Sequence, residues 1–79
     1  MKLNVNYFGM IAEWTGCSNQ TIEINRTGTV GSLRNQLQHD HENLGSISYQ
    51  IAVNHQIAAN EIELKEQDEI AVLPPFAGG

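Results

Sequence analysis

Apolar and polar residues alternate in several stretches of the chain. Leu3, Val5 and Tyr7, for example, are separated by Asn4 and Asn6. Because side chains alternate between the two faces of a strand, this period of two predicts strands with one buried face. The predicted strands are residues 2–8, 21–25, 50–54, 61–64 and 69–73.

Helical spacing of apolar residues occurs at two places. In the longer one, the apolar positions at i, i+3 and i+7 are Val30, Leu33 and Leu37. Thr29 is a suitable N-cap in front of them, so the main helix is predicted over residues 30–41. A helix of one or two turns is predicted between Gly9 and Gly16, where the second glycine provides the stop.

The order of these elements is β-(short α)-β-α-β-β-β, which favours an α+β fold with one mixed sheet wrapped around the main helix. The first and last strands are expected side by side and parallel at the centre of the sheet, as in the β-grasp, or ubiquitin-like, architecture. A ferredoxin-like fold would need a second long helix, which residues 54–68 do not offer. We therefore expect a β-grasp domain over residues 1–73 and a flexible tail over residues 74–79.

Charge and composition exclude several classes of function. The 79 residues carry a net charge of −5, and the four basic residues are scattered: Lys2, Arg26, Arg34 and Lys65. Because nucleic acids and anionic membranes bind clustered cations, we expect neither partner. No apolar run is long enough to span a bilayer, and the first residues have a strand pattern rather than that of a signal peptide, so a cytoplasmic location is expected. A single cysteine, Cys17, excludes an internal disulfide and fits a reducing compartment.

Side chains with reactive groups form no clear catalytic arrangement. Cys17 has no basic neighbour in the sequence to activate it, so an incidental thiol is favoured over a persulfide site. His39, His41 and His55 lack the spacing of metal ligands, so no metal site is predicted. The acidic stretch Glu61–Glu69 fits a solvated face and a surface that docks onto a basic partner equally well.

The strongest functional signal is the segment Leu73-Pro74-Pro75-Phe76-Ala77-Gly78-Gly79. Proline cannot continue a strand ladder, so the pair is expected to form a stiff, extended exit from the last strand. Glycines fit a slot too narrow for other residues, and the ionised α-carboxylate of Gly79 is predicted to be the reactive group. A carboxylate needs activation, usually by ATP, and the chain has no P-loop, so a separate enzyme must activate it. A frayed, inert end is the alternative.

Three apolar residues have no place in the predicted core. If Ile70 and Val72 face inward, Leu73 faces the opposite side of the sheet. Ile57 lies in the predicted loop after the third strand, and Phe76 lies beyond the last strand. Leu73, Ile57 and Phe76 therefore predict a partner-contact surface. The alternative is that Leu73 and Phe76 fold back and cover the edge of the sheet.

The chain resembles the MoaD-type sulfur carriers, the small subunits of molybdopterin synthases, over essentially its whole length. The block from Asp68 to Gly79 is the specific part of the resemblance. The looser parts are Tyr7-Phe8, Trp14-Thr15-Gly16, Thr29 to Arg34 and Ala52-Val53-Asn54. Two places depart from the family pattern: Gln67, where a glycine is usual before the last strand, and Ala12-Glu13, where Arg-Glu is common.

The resemblance implies how the tail would work. A MoeB-type, E1-like enzyme would adenylate Gly79 to a transient acyl-AMP, and a sulfur donor protein would convert it to a thiocarboxylate. The tail would enter a MoaE-type large subunit, in a two-plus-two heterotetramer, and donate sulfur to cyclic pyranopterin monophosphate. The catalytic side chains would belong to the large subunit, and no cofactor would be bound permanently. The residues that the resemblance places at the partner are Phe8, Ile57, Leu73, Pro74, Pro75, Phe76, Ala77 and Gly78.

Three other functions stay open at this point. A ThiS-type carrier for thiamine biosynthesis shares the general pattern, but the two prolines and the greater length favour the MoaD type. A ubiquitin-like protein modifier would join Gly79 to lysines through an isopeptide bond. A plain β-grasp interaction module would leave the tail chemically inert.

Overall fold

The computed structural model describes residues 1–74, so Pro75, Phe76, Ala77, Gly78 and Gly79 lie outside the described residues. The described part forms two α-helices, one 3-10 helix and five strands. In chain order they are β1 Lys2–Tyr7, α1 Met10–Thr15, β2 Asn19–Glu23, α2 Val30–Asp40, the 3-10 helix Glu42–Ser46, β3 Gln50–Val53, β4 Gln56–Ile57 and β5 Glu69–Leu73. Neither α-helix of this part combines the length and apolar character needed to cross a bilayer.

The five strands form one mixed sheet in the order β2-β1-β5-β3-β4. β1 and β5 are parallel, with Val5 opposite Ile70 and Tyr7 opposite Val72, and the other three pairs are antiparallel. The predicted pairing of the first and last strands is therefore confirmed. Together with one main helix on one face of the sheet, this is the predicted β-grasp fold.

The core lies between α2 and the inner face of the sheet. Its strand residues include the inward sets predicted for β1 and β5. Its helix residues are the three at helical spacing in α2 together with one from α1 and one from the 3-10 helix. The side chains with no exposed surface are Leu3, Val5, Ile11, Val30, Leu33, Leu37, Leu44, Ile70 and Val72. Because two central strands and a helix all contribute to one cluster, the outer face of the sheet is left free for contacts.

The helix ends follow local rules. The side-chain oxygen of Thr29 accepts a hydrogen bond from the backbone N–H of Ser32, which confirms the predicted N-cap of α2. Gly16 ends α1 in the left-handed conformation, with φ 78°, as its predicted role requires. α2 ends at Asp40, one residue earlier than predicted, and the 3-10 helix that follows buries Leu44, an element that apolar spacing did not predict.

The predicted fourth strand at residues 61–64 is wrong. The fourth strand is β4, which Asn54 and His55 connect to β3 by a two-residue turn with both φ angles positive. Residues 61–64 make only one isolated bridge, from Glu63 to Thr29, and the carbonyl of Ile62 accepts a hydrogen bond from the backbone N–H of Val30. The segment is thus tied to the start of α2 rather than to the sheet. As a result Leu64 is buried, whereas the Ile62 side chain is 45% exposed.

Candidate functional site

The outer face of the sheet, opposite α2, carries a row of small and apolar residues across three strands. Ile57 of β4 is opposite Ala52 of β3, and Ala52 is opposite Ala71 of β5. Because cross-strand partners point to the same face, these three side chains share the outer side. Next in the row is Asn6 of β1, which is opposite Ala71. The small alanines leave the backbone of the central strands within reach of a partner.

Large apolar side chains flank this row. Ile57 is 59% exposed and Phe8 is 47% exposed. Phe8 follows β1 directly, and its backbone N–H donates to the carbonyl oxygen of Val72 at 3.2 Å. Leu73 is half-buried and lies two residues beyond Ala71, on the same face. We call Phe8, Ile57 and Leu73 the sheet contact surface.

The structure brings together three of the residues predicted at the partner, on one face of the sheet. The prediction of Ile57 in a loop is wrong, because Ile57 belongs to the edge strand β4. Pro74 is the first residue after β5. The other predicted site residues, Pro75, Phe76, Ala77, Gly78 and the reactive Gly79, lie outside the described residues, so their roles stay predictions.

The base of the predicted tail packs against Gly9. A Cβ atom on Gly9 would lie 3.2 Å from Cγ of Pro74, which is closer than most side chains tolerate. Gly9 also has φ 58° and ψ −139°, a backbone conformation open to glycine but not to residues with a side chain. The chain therefore leaves the sheet beside the loop that connects β1 to α1.

Polar side chains fix the turn between β3 and β4. The Asn54 side chain donates to Oδ1 of Asp68 at 3.0 Å and accepts from the backbone N–H of Glu69, also at 3.0 Å. His55, in the left-handed conformation with φ 73°, places Nε2 3.8 Å from a carboxylate oxygen of Glu69. Sequence reasoning identified the turn but missed its link to β5, because only the fold brings Asn54 next to Asp68.

The acidic stretch is partly structural. Asp68 accepts a hydrogen bond from the backbone N–H of Lys65 at 2.8 Å, which closes the turn before β5. Glu66 accepts one from the backbone N–H of Lys2, also at 2.8 Å. Gln67 has φ 69°, so the turn position where glycine is usual keeps its left-handed conformation. These two carboxylates stabilise the turn, whereas Glu61 and Glu63 are exposed.

The remaining candidates show no catalytic geometry within residues 1–74. Cys17 is partly buried, with its sulfur 3.8 Å from the Thr15 hydroxyl. His41 lies edge-on to the Tyr7 ring, with 5.7 Å between ring centroids. No group of three or more potential metal ligands occurs among these residues. Burial raises the pKa of the Tyr7 hydroxyl, which donates to the Gln20 side chain at 2.7 Å.

Sequence reasoning missed two exposed residues on α1. Ile11 of this helix is buried and Ala12 packs against the core, while Met10 is 39% exposed and Trp14 is 43% exposed. Spacing alone does not separate Trp14 from the core, because it is three residues after Ile11 and residues three apart are neighbours on a helix, so only the packing of α1 shows that Trp14 stays exposed. Trp14 borders a shallow depression whose other walls are Asn43, Ser46 and Ile47.

Comparison with known proteins extends the resemblance over the whole chain. A molybdopterin synthase sulfur carrier subunit of Mycobacterium tuberculosis is 36% identical over 84 aligned positions, which span 100% of this chain and 99% of the relative. A protein of Pyrococcus furiosus assigned as molybdopterin converting factor subunit 1 superposes with a TM-score of 0.91 at 26% identity, covering 95% of this chain and 98% of that one.

A solved complex shows a relative with a partner. In Helicobacter pylori, subunits 1 and 2 of molybdopterin-converting factor form a protein–protein complex, and the matching chain superposes with a TM-score of 0.71 at 30% identity over 100% of both chains. The ThiS family model matches residues 5–79. The similarity to a molybdopterin synthase sulfur carrier subunit confirms the predicted resemblance to MoaD-type carriers, and the match of the family model over residues 5–79 shows that the chain belongs to the ThiS family.

Proposed function

We propose that this chain is the sulfur carrier subunit of a molybdopterin synthase and that the carboxyl group of Gly79 carries the sulfur. The observation that carries the proposal is the 36% identity to a molybdopterin synthase sulfur carrier subunit over 100% of this chain. The described residues support it, because β5 leads directly into the predicted tail from the centre of the sheet. The folded domain then holds and presents the tail, and the reaction occurs on its main chain.

The first step is activation of Gly79 by a MoeB-type adenylating enzyme. The carboxylate attacks the α-phosphorus of ATP, pyrophosphate leaves, and the product is an acyl-AMP. A sulfur donor protein then supplies the nucleophile, which in the simplest case is hydrosulfide. Hydrosulfide adds to the acyl carbon, the bond to AMP breaks, and a thiocarboxylate remains.

The second step is transfer inside a MoaE-type large subunit, which supplies the catalytic side chains. The thiocarboxylate sulfur forms a bond to a carbon of cyclic pyranopterin monophosphate while a carbon–oxygen bond at that carbon breaks, and the oxygen leaves as water or stays on the phosphate. Water then hydrolyses the resulting thioester, which leaves a thiol on the pterin and restores the Gly79 carboxylate. The complex of subunits 1 and 2 from Helicobacter pylori supports a partner of this kind. A two-plus-two heterotetramer is the assembly that we propose.

The sheet contact surface is the proposed docking site for that subunit. Phe8 and Ile57 present large apolar side chains on either side of the exit of the chain, and Leu73 joins them at the end of β5. Burial of apolar area drives such association, whereas the alanines of the central strands allow close approach. Pro74 to Gly78 would line the path by which Gly79 reaches the substrate.

Intact mass spectrometry tests the chemistry of Gly79. The chain is incubated with its adenylating enzyme, ATP and sulfide, and the expected gain is about 16 Da, the mass difference between sulfur and oxygen. A chain that lacks Gly79 is the control and should gain nothing while remaining folded. Conjugates of higher mass would instead show a protein modifier, and an unchanged mass would show an inert module.

A transfer assay tests the pathway. The thiocarboxylate form is mixed with the large subunit and the pterin precursor, and molybdopterin formation is followed by its fluorescent oxidation product. We expect product only when both subunits are present. Failure with the large subunit, together with sulfur transfer to a thiazole synthase, would assign the chain to thiamine biosynthesis and overturn the proposal.

A further inference from the structure

Exposed apolar side chains are concentrated at one end of the sheet. Five large apolar side chains are exposed in the described residues, and three of them occur within seven residues: Phe8 at 47%, Met10 at 39% and Trp14 at 43%. Phe8 belongs to the sheet contact surface, whereas Met10 and Trp14 lie on α1 and have no role in the proposed function as stated so far. Folding of residues 1–74 leaves this apolar area in contact with water, which favours burial against another protein.

The same end of the sheet is where the chain exits. β1 and β5 are parallel, so α1, which follows β1, lies at the end where β5 stops. Contact between Pro74 and Gly9, one residue before α1, joins the two features directly. Trp14 is four residues after Met10, or about 6 Å along a helix axis, so both side chains lie near the base of the tail.

The tail is too short to separate its partner from α1. Residues 75–79 span at most roughly 18 Å when fully extended. A protein that holds Gly79 in an internal pocket must therefore place its outer surface close to Pro74. Because a folded domain is broader than this reach, that surface also covers the structure around Pro74, which includes α1.

We propose that Met10 and Trp14 form a second contact area, continuous with the sheet contact surface through Phe8, and that it binds an apolar patch of the large subunit beside the entrance for the tail. This inference rests on the proposed function, since the large subunit is the partner named there. Trp14 is suited to the role, because its side chain is 43% exposed and borders a depression whose other walls are Asn43, Ser46 and Ile47. Tryptophan is enriched among the few residues that contribute most of the binding energy at protein interfaces.

Binding of three variants to the purified large subunit tests the proposal by isothermal titration calorimetry. Met10→Glu and Trp14→Gln are expected to raise the Kd at least tenfold. Asn25→Glu is the control: Asn25 is exposed and follows β2, whose last residue, Glu23, is opposite Lys2 at the start of β1, the end of the sheet away from the exit. Met10→Glu and Asn25→Glu change the net charge equally, so a difference between them does not arise from net charge.

The single tryptophan provides a second measurement on the unaltered sequence. Chain labelled with 5-fluorotryptophan has one fluorine resonance, which should shift when the large subunit is added. Far-UV circular dichroism establishes that each variant is folded, and if Trp14→Gln does not fold, Met10→Glu and the labelled chain decide the question.

The outcomes separate this inference from the proposed function. Unchanged Kd values for folded variants, together with an unshifted fluorine resonance, would place α1 outside the interface while the unaltered chain still transfers sulfur. Weakened binding to the adenylating enzyme alone would assign α1 to that enzyme and overturn the inference. Absence of any binding between the unaltered chain and the large subunit would instead overturn the proposed function and, with it, this inference.

Discussion

Gly9 and Pro74 are in contact, although 64 positions separate them in the sequence: a Cβ atom on Gly9 would lie 3.2 Å from Cγ of Pro74. This contact sets where the chain leaves the sheet. It lies between the two apolar areas that the proposals assign to the partner, with Phe8 on one side and Met10 on the other. The position of the exit therefore depends on a glycine that sequence patterns indicate only as the start of a short helix.

Replacement of Gly9 by alanine should destabilise the domain more than replacement of Gly16 or Gly45. Gly9→Ala combines a disallowed backbone conformation with crowding of Pro74, and we expect a loss of about 2–3 kcal/mol, or about 8–24 °C in Tm. Gly16→Ala has φ 78° but open space around it and should cost about 1 kcal/mol. Gly45→Ala, with neither constraint, should be nearly neutral. Thermal unfolding by circular dichroism measures all three, and equal effects would contradict the contact as the cause.

Truncation of Leu64 should destabilise the domain much more than truncation of Ile62. Leu64→Ala removes a side chain that is 4% exposed and should cost about 2–4 kcal/mol of the free energy of unfolding. Ile62→Ala removes one that is 45% exposed and should change that free energy by less than about 0.5 kcal/mol. Urea unfolding gives both values. Similar losses at the two positions would show that both side chains are buried, as the strand predicted for residues 61–64 requires.

Alkaline pH should weaken the fold through Tyr7. Burial raises the pKa of its hydroxyl, so the folded state holds the proton after the unfolded chain has released it. This contribution is complete below pH ~10 and is lost above it, by up to about 1.4 kcal/mol per pH unit. Tyr7→Phe should reduce this slope and, since it deletes the hydrogen bond to Gln20, cost about 1 kcal/mol at neutral pH. Parallel urea titrations from pH 8 to 11 measure the difference, and identical slopes would refute it.

Ile57 should matter for docking and not for folding. Its side chain is 59% exposed on the outer face, so Ile57→Glu should shift Tm by no more than a few degrees. At a buried interface the same carboxylate would be desolvated, and binding to the large subunit should weaken by at least ~10-fold. Ile57→Val, which keeps an apolar side chain, is the control. Unchanged affinity for Ile57→Glu would remove β4 from the proposed interface.

Local patterns in the sequence predict most of the fold. Alternation in β1 and β5, helical spacing of Val30, Leu33 and Leu37, and the cap at Thr29 all concern residues close together in the chain, so each can be recognised without tertiary information. They are sufficient for the β-grasp assignment. Family membership is equally a property of the sequence, because the family model matches residues 5–79.

Tertiary contacts decided the features that local patterns do not contain. β4 has two residues, too few to show a period of two. Ile62 and Leu64 have the alternation of a strand, but a hydrogen bond from the backbone N–H of Val30 to the carbonyl of Ile62 joins that segment to α2 and not to the sheet. Exposure of Trp14 likewise depends on how α1 packs, since Ile11 is the one residue of that helix that is buried. The sequence by itself determined most of the elements, because their patterns are local, and it also determined the family; the order of the elements was sufficient to predict the pairing of β1 with β5. Only the tertiary structure decided which apolar residues stay exposed around the exit, because exposure depends on neighbours that are distant in the chain.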